Sequence, residues 1–304
     1  MKNNKTNTFR LTTTALVTLA VVVSSCGSTS NSAAEIAGTE ISRDELELTI
    51  TELSDVGQTP VVDGEVAGDT ARSILTALIQ GAGAKQLLKK YGQEITEADR
   101  EEISLSLSQN TDTTAFTEHL KNLIVELNAG SLALKRVVAP DAKTAAKMYD
   151  EAPASLGVMC VRHLVVEQET TAKEALTKIS AGADFAEVAG EYSIEPNAKE
   201  SGGALSGANN ACMLLSEYQS GFDPGFTAGA LLAKSGVATG PVKSSFGYHI
   251  ILVRPFVEVA ADISALLEAN AGELLFNGYL ATTKIKVDSA YGVWNSARGA
   301  IIKN

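Results

Sequence analysis

From residue 40 to 150 the apolar positions recur at helical spacing. Leu46, Ile50 and Leu53 share one face behind Ser42 and Glu45, a capping-box pair three residues apart. Ile74, Leu75, Leu78 and Ile79 form a second stripe, with Asp69 as the expected cap and Lys89, Lys90 and Gly92 at the far end. A third helix is predicted over "ITEADREEISLSLSQ", capped by Thr96. In a fourth, Phe116, Leu120, Leu123, Ile124 and Leu127 lie on one face. A short fifth starts at Pro140-Asp141. The pattern changes near Pro153. "GVMCVRHLVV" reads as a strand, and "ETTAKEALTKISAGADFAEVAGEYS" as two helical pieces broken at Gly182. A glycine-rich loop, a short helix in "FDPGFTAGALLAKSG", an edge strand containing Pro241 and a last strand "YHIILVRPFVEV" follow. This order predicts a compact α+β unit. "DISALLEANAGELLFNGYLATTKI" then reads as one long amphipathic helix, and the tail after it as strand-like and irregular.

The N-terminus has a different character. Lys2, Lys5 and Arg10 precede the uncharged stretch "LTTTALVTLAVVV", and "SSCGS" follows it. Basic, apolar, then small is the layout of a secretory signal peptide. The 13 apolar-stretch residues fall short of the ~20 that span a bilayer, which argues against a structural protein held by a membrane helix. Cys26 behind "VSS" resembles a bacterial lipobox, although Val23 stands where leucine is usual. In lipobox proteins the chain is cut before the cysteine, which is then lipidated. An ordinary leader with an incidental cysteine is the other reading. The expected organisation is a signal peptide at 1–25, a lipidated tether at 26–38, a helical domain at 39–153, the α+β domain at 154–258, and at 259–304 a C-terminal helix packing on the helical domain, plus a tail.

Composition narrows the chemistry. The chain of 304 residues is 45% hydrophobic and 20% charged, ordinary for a globular protein with a real core. A net charge of -11 argues against nucleic acid as a partner. Cys160 and Cys212 remain beside Cys26, and in an exported chain a bridge between them and two free thiols are both open. No Cys/His cluster has metal-ligand spacing, so neither a metal nor another cofactor is expected. His119, inside the fourth helix, reads as a half-exposed surface residue. His163 in "VRHLVV" and His249 in "GYHIIL" are different, because both sit among apolar strand residues. Two such histidines on the first and last strands of one small domain suggest neighbouring central strands with facing imidazoles. Burying that pair requires a hydrogen-bond network.

The stretches "VRHLVV", "AGADFAEVAGEYSIEP", "SGGAL", "FDPGF" and "SSFGYHIILV" give residues 155–258 a close resemblance to the parvulin family of peptidyl-prolyl isomerases. The flanks, from "IAGTEISRDEL" onward, resemble the SurA/PrsA-like foldase lipoproteins of bacterial envelopes. The resemblance implies a parvulin-like domain, a small antiparallel sheet with surrounding helices, joined to an α-helical SurA/PrsA-like chaperone domain. It implies that His163 and His249 are the two central histidines and that Glu195 stands where relatives carry Cys or Asp. Ser244 would act with these three in catalysis. Leu205, Phe222, Phe226 and Phe246 would hold substrate. The partners implied are unfolded or partly folded exported proteins with X-Pro bonds, and the membrane through the lipid anchor.

Departures from the family are visible. Ala204 and Ser206 replace an aspartate and a glycine, and "GANNACMLLSEYQSG" lengthens the loop before Phe222. The acidic "LVVEQETT" after His163 lacks the basic cluster that reads phosphoserine-proline in one branch, so that selectivity is not expected. Two functions stay open: an envelope foldase with active isomerase chemistry, and a holdase whose isomerase fold is inert.

Overall fold

The computed structural model describes residues 31–62, 65–207 and 210–304, so Cys26 and the leader lie outside the described residues. The chain opens with strands β1 (Ser32–Ile36) and β2 (Thr39–Ser42) and helix α1 (Arg43–Asp55). A two-residue ribbon, β3 (Val61–Val62) and β4 (Glu65–Val66), leads to α2 (Gly68–Lys90), α3 (Glu97–Asn110), α4 (Glu118–Leu134) and α5 (Ala142–Glu151). The Thr96 hydroxyl and the Asp99 carboxylate form a complete capping box on α3. Ser42 accepts from Glu45 N at 3.1 Å, without the return half of the box. Asp69 does not cap α2. Ala67 holds the cap position and Asp69 sits in the first turn, where its charge still suits the helix dipole.

β1 corrects the expected tether. It is the middle strand of a sheet ordered β10-β1-β2, where β10 is Ile285–Val287 near the C-terminus. Ala33 and Ile36 are fully buried, in a cluster with Leu75, Ile79, Leu280 and Ile301. Residues 32–36 are therefore folded into the body, because Ala33, Ala34 and Ile36 pack in one cluster with side chains of α2.

After a 3-10 turn at Pro153–Leu156 come β5 (Val158–Met159), β6 (Val161–Val166), α6 (Glu169–Ser180), α7 (Phe185–Tyr192) and α8 (Ala198–Ser201). β7 (Met213–Leu214), α9 (Leu215–Gly221), α10 (Pro224–Leu232), β8 (Ala238–Ser244) and β9 (Gly247–Val253) complete the unit. The antiparallel sheet runs β6-β9-β8, with the proline-containing β8 at its edge. Alternation along the strands divides the faces. Leu164, Val166 and Ile250 pack against Ala172, Ala175, Phe185 and Val188 of α6 and α7. Val161, Ile251 and Val253 join the cluster holding Phe226 and Tyr218.

The segment "PFVEV", expected as strand, begins helix α11 (Phe256–Thr282), which is kinked at the non-helical Asn270 (φ -159°, ψ 59°) and so is not the one continuous helix expected. Pro255 lacks the N–H that would continue a ladder, and its fixed φ suits a helix start. β11 (Val293–Asn295) and β12 (Ala300–Ile302) pair in the tail. α11 ties the halves of the chain together. Tyr149 donates to Arg254 O at 2.9 Å, and its ring lies 5.6 Å from that of Phe256. Gly157, at φ +71, lets the chain approach α11 so closely that a Cβ there would lie 1.8 Å from Leu274 O. One apolar cluster runs from Leu87, Leu134 and Tyr149 through Ile263 and Leu274 to Phe226 and Ile251. The limits expected at 153 and 258 therefore pass through packed side chains, not through a linker.

Candidate active site

Register sets the histidine pair. β6 and β9 align Val165 with His249 and His163 with Ile251, so the imidazoles sit diagonally on one face. Their Nδ1 atoms are 3.2 Å apart and their ring planes differ by 19°. Nε2 of His249 lies 2.7 Å from Ser244 Oγ, which accepts from Phe246 N at 3.0 Å. Nε2 of His163 lies 3.2 Å from Glu195 Oε2. Burial pushes His163 down to about 4, with the neighbouring His249 adding to the shift. Burial also lowers His249 to about 4, against the opposing pull of Asp223. Burial raises the Glu195 carboxyl.

Two neutral rings each give one N–H and keep one lone pair. With His249 Nδ1–H donating to His163 Nδ1, the single N–H of His163 sits on Nε2, facing the Glu195 carboxylate. His249 Nε2 then accepts the Ser244 proton. Three of the four ring nitrogens are thus hydrogen-bonded and the fourth faces a carboxylate, without a charge on either ring.

Above this chain lies a cavity of about 430 Å³. His163, His249, Glu195, Leu205, Phe222, Phe226 and Phe246 all line it, so the structure gathers seven of the eight sequence-predicted site residues that lie in this domain. Phe226 is 2% exposed, with ring centroids 5.1 Å from His163 and 4.9 Å from His249. Phe222 stacks on the buried Tyr218 at 4.7 Å. Leu205 is set by the "SGGAL" turn, which adds to the edge of β6. His163 N donates to Gly203 O at 2.7 Å and Leu205 N to Val161 O at 2.9 Å. Gly203, at φ +72, is required there, since a Cβ would fall 2.1 Å from His163 O. Ser244 is the exception. It sits behind His249, outside the cavity lining, and its proton serves the histidine and not a substrate.

Sequence reasoning missed Val165, Ile194, Pro196 and Asp223 in the lining. Asp223 is the most consequential. It caps α10 by accepting from Gly225 N and Phe226 N, and it accepts from Ser245 N and Oγ. These bonds, the Ser245 hydroxyl first, hold its carboxyl down to about 2. One side chain thus fixes both the Phe226 helix and the turn bearing Phe246. The available signal was Asp-Pro-Gly, an N-cap followed by proline at the first helical position. A larger cleft of about 820 Å³ lies between β2, α2 and α4, away from the histidines.

The histidines give a pH prediction. Their folded values lie below the ordinary ~6.5, so an unfolded chain takes up protons first. Their stabilisation is fully present above about pH 6.5 and is lost as pH falls toward 4. His119 acts in the opposite sense. Its ring bridges Glu52 at 2.6 Å and Glu45 at 3.2 Å, and the Glu52 bond raises it, so its contribution is lost as pH rises. Imidazole NMR titration should show two rings below the ordinary midpoint and one above it. Three rings titrating together near pH ~6.5 would contradict the network.

Residues 165–255 match the family model described as Rotamase, PPIC-type PPIASE domain. The foldase protein PrsA of Clostridium botulinum (strain Okra / Type B1) is 30% identical over 240 residues, covering 67% of this chain and 68% of that protein. The foldase protein PrsA of Caldanaerobacter subterraneus subsp. tengcongensis is 37% identical over 126 residues, 40% of this chain and 38% of that relative's length. The crystal structure of PrsA from Bacillus subtilis is 20% identical, with 84% of this chain and 94% of that one covered, at a TM-score of 0.30. By the breadth and level of its sequence kinship, the chain belongs to the PrsA foldase family, and its residues 165–255 are a parvulin-type peptidyl-prolyl cis-trans isomerase domain.

Proposed function

We propose that this chain is an extracytoplasmic, lipid-anchored foldase that turns X-Pro bonds of exported proteins while its helical body holds the unfolded client. The observation that carries the reading is the apolar cavity beside two buried, neutral histidines hydrogen-bonded to each other. The barrier to rotating the amide is ~18–20 kcal/mol because of conjugation. A catalyst need only bind the twisted amide better than either planar form. Phe222, Phe226 and Leu205 hold the proline ring and exclude water. Twisting frees the nitrogen lone pair and restores a ketone-like carbonyl, and Glu195 at the cavity wall changes the field felt by that carbonyl. The histidines shape the pocket and take no covalent part.

A protein whose refolding is limited by a proline tests this reading. Substoichiometric amounts of the chain should accelerate the slow phase. Suppressed aggregation with an unchanged slow phase would instead assign the holdase function.

The anchor rests on the leader and Cys26. The mature chain is expected to begin at Cys26 and to partition with membranes through more than one acyl chain, since one holds only marginally. Cys26→Ser should abolish both processing and membrane association. An unmodified N-terminus in intact-mass analysis would refute the anchor. Among the described residues, no helix is long and apolar enough to cross a membrane.

A further inference from the structure

Of the residues lining the isomerase cavity, the charged ones are Glu195 and Asp223, both acidic. Burial keeps the two histidines beside them neutral, and they are hydrogen-bonded to each other. The cations on the same sheet are engaged elsewhere. Arg162 donates to Gly202 O at 3.1 Å, and the Lys243 ammonium lies 4.1 Å over the Tyr248 ring. The two carboxylates differ in what they have left to offer. Asp223 already accepts from four donors. One Glu195 carboxylate oxygen lies 3.2 Å from His163 Nε2 and the side chain is 42% exposed, so it retains acceptor capacity toward the solvent side. At the same rim, Ile194 and Phe246 are 53% and 71% exposed. Large apolar side chains at a rim suit the aliphatic stem of a lysine or arginine whose head reaches a carboxylate. Phe246 also offers an aromatic face to a cation.

We propose that Glu195 is a specificity-determining residue that makes the cavity prefer prolines flanked by Lys or Arg over prolines flanked by Asp or Glu. This rests on the isomerase reading above. Its physical basis is that a second negative charge brought beside Glu195 meets no compensating cation, whereas a positive one replaces lost water with a charge-assisted hydrogen bond.

The test uses the full chain and blocked peptides carrying Lys, Ala or Glu directly before or directly after proline, with exchange measured by NMR. At low ionic strength the Lys peptide should exceed the Glu peptide in kcat/KM by about tenfold in at least one of the two positions. About 0.5 M salt should shrink the ratio, since the site is partly exposed. Glu195→Gln should bring it to within about twofold, while Glu195→Asp should keep it. Equal rates for Lys and Glu at both positions would overturn the proposal, as would a ratio unmoved by Glu195→Gln. If even the Ala peptide is not accelerated, the isomerase reading falls and the proposal falls with it.

Discussion

Phe226→Ala is expected to abolish isomerisation and to destabilise the fold by about 3–5 kcal/mol. The ring is buried to 2% exposure and touches both histidines, Phe222 and Tyr218. Truncation removes the cavity floor and leaves a void that Asp223, bonded to two backbone N–H groups of α10, prevents the helix from closing. Loss of activity through unfolding must be separated from loss through shape. Phe226→Met keeps much of the volume, so it should stay folded at a cost below about 1.5 kcal/mol. It should still lose most of the rate, because a flexible thioether does not present a flat face to proline. Denaturant unfolding and peptide exchange on the same samples check both. Phe226→Ala with wild-type activity would mean that the cradle lies elsewhere.

Removing the bridge between Cys160 and Cys212 should have an effect of similar size. The structure resolves the alternative that the sequence left open: the two sulfurs are bonded, with the residues 52 apart in sequence. Chain entropy for a loop of that length gives about 4 kcal/mol. The bridge joins the start of β6 to the inserted loop, and that loop is also held to α11 by Ala211 N donating to the Asp262 carboxylate at 3.1 Å. From this anchor β7 and α9 lead to Phe222. The paired variant Cys160→Ala with Cys212→Ala should lower the denaturant midpoint and loosen the Phe222 wall of the cavity. Both sulfurs are buried, at 0% and 1% exposure, so reductant should act slowly, through opening of the domain. Free thiols at both Cys160 and Cys212 in the unfolded, unreduced protein would refute the bridge itself.

Local signals carried far. Thr96, Asp141 and the break at Gly182 are short-range capping and turn chemistry, and the helices begin and end where they indicate. The histidine pair was legible because polar rings in apolar strands need each other. What stayed hidden depends on contacts distant along the chain. β1 pairs with β10 across about 250 residues, and its five residues carry no mark of that partner. Ser244 stands two residues from Phe246 in sequence, yet only the strand register decides that its hydroxyl faces the histidine while Phe246 faces the cavity. Asp223 reads as a helix cap from its own neighbourhood. Its second pair of bonds, to Ser245, exists only once β8 and α10 meet.

The most direct test of the central claim, that an apolar cavity beside neutral histidines rotates X-Pro bonds without covalent chemistry, is equilibrium exchange NMR on an Ala-Pro peptide with substoichiometric chain. The uncatalysed bond isomerises in tens to hundreds of seconds. The account predicts a much faster exchange that stays flat between about pH 6.5 and 8, because neither histidine changes charge there. A folded chain that leaves the exchange at its uncatalysed rate would contradict it.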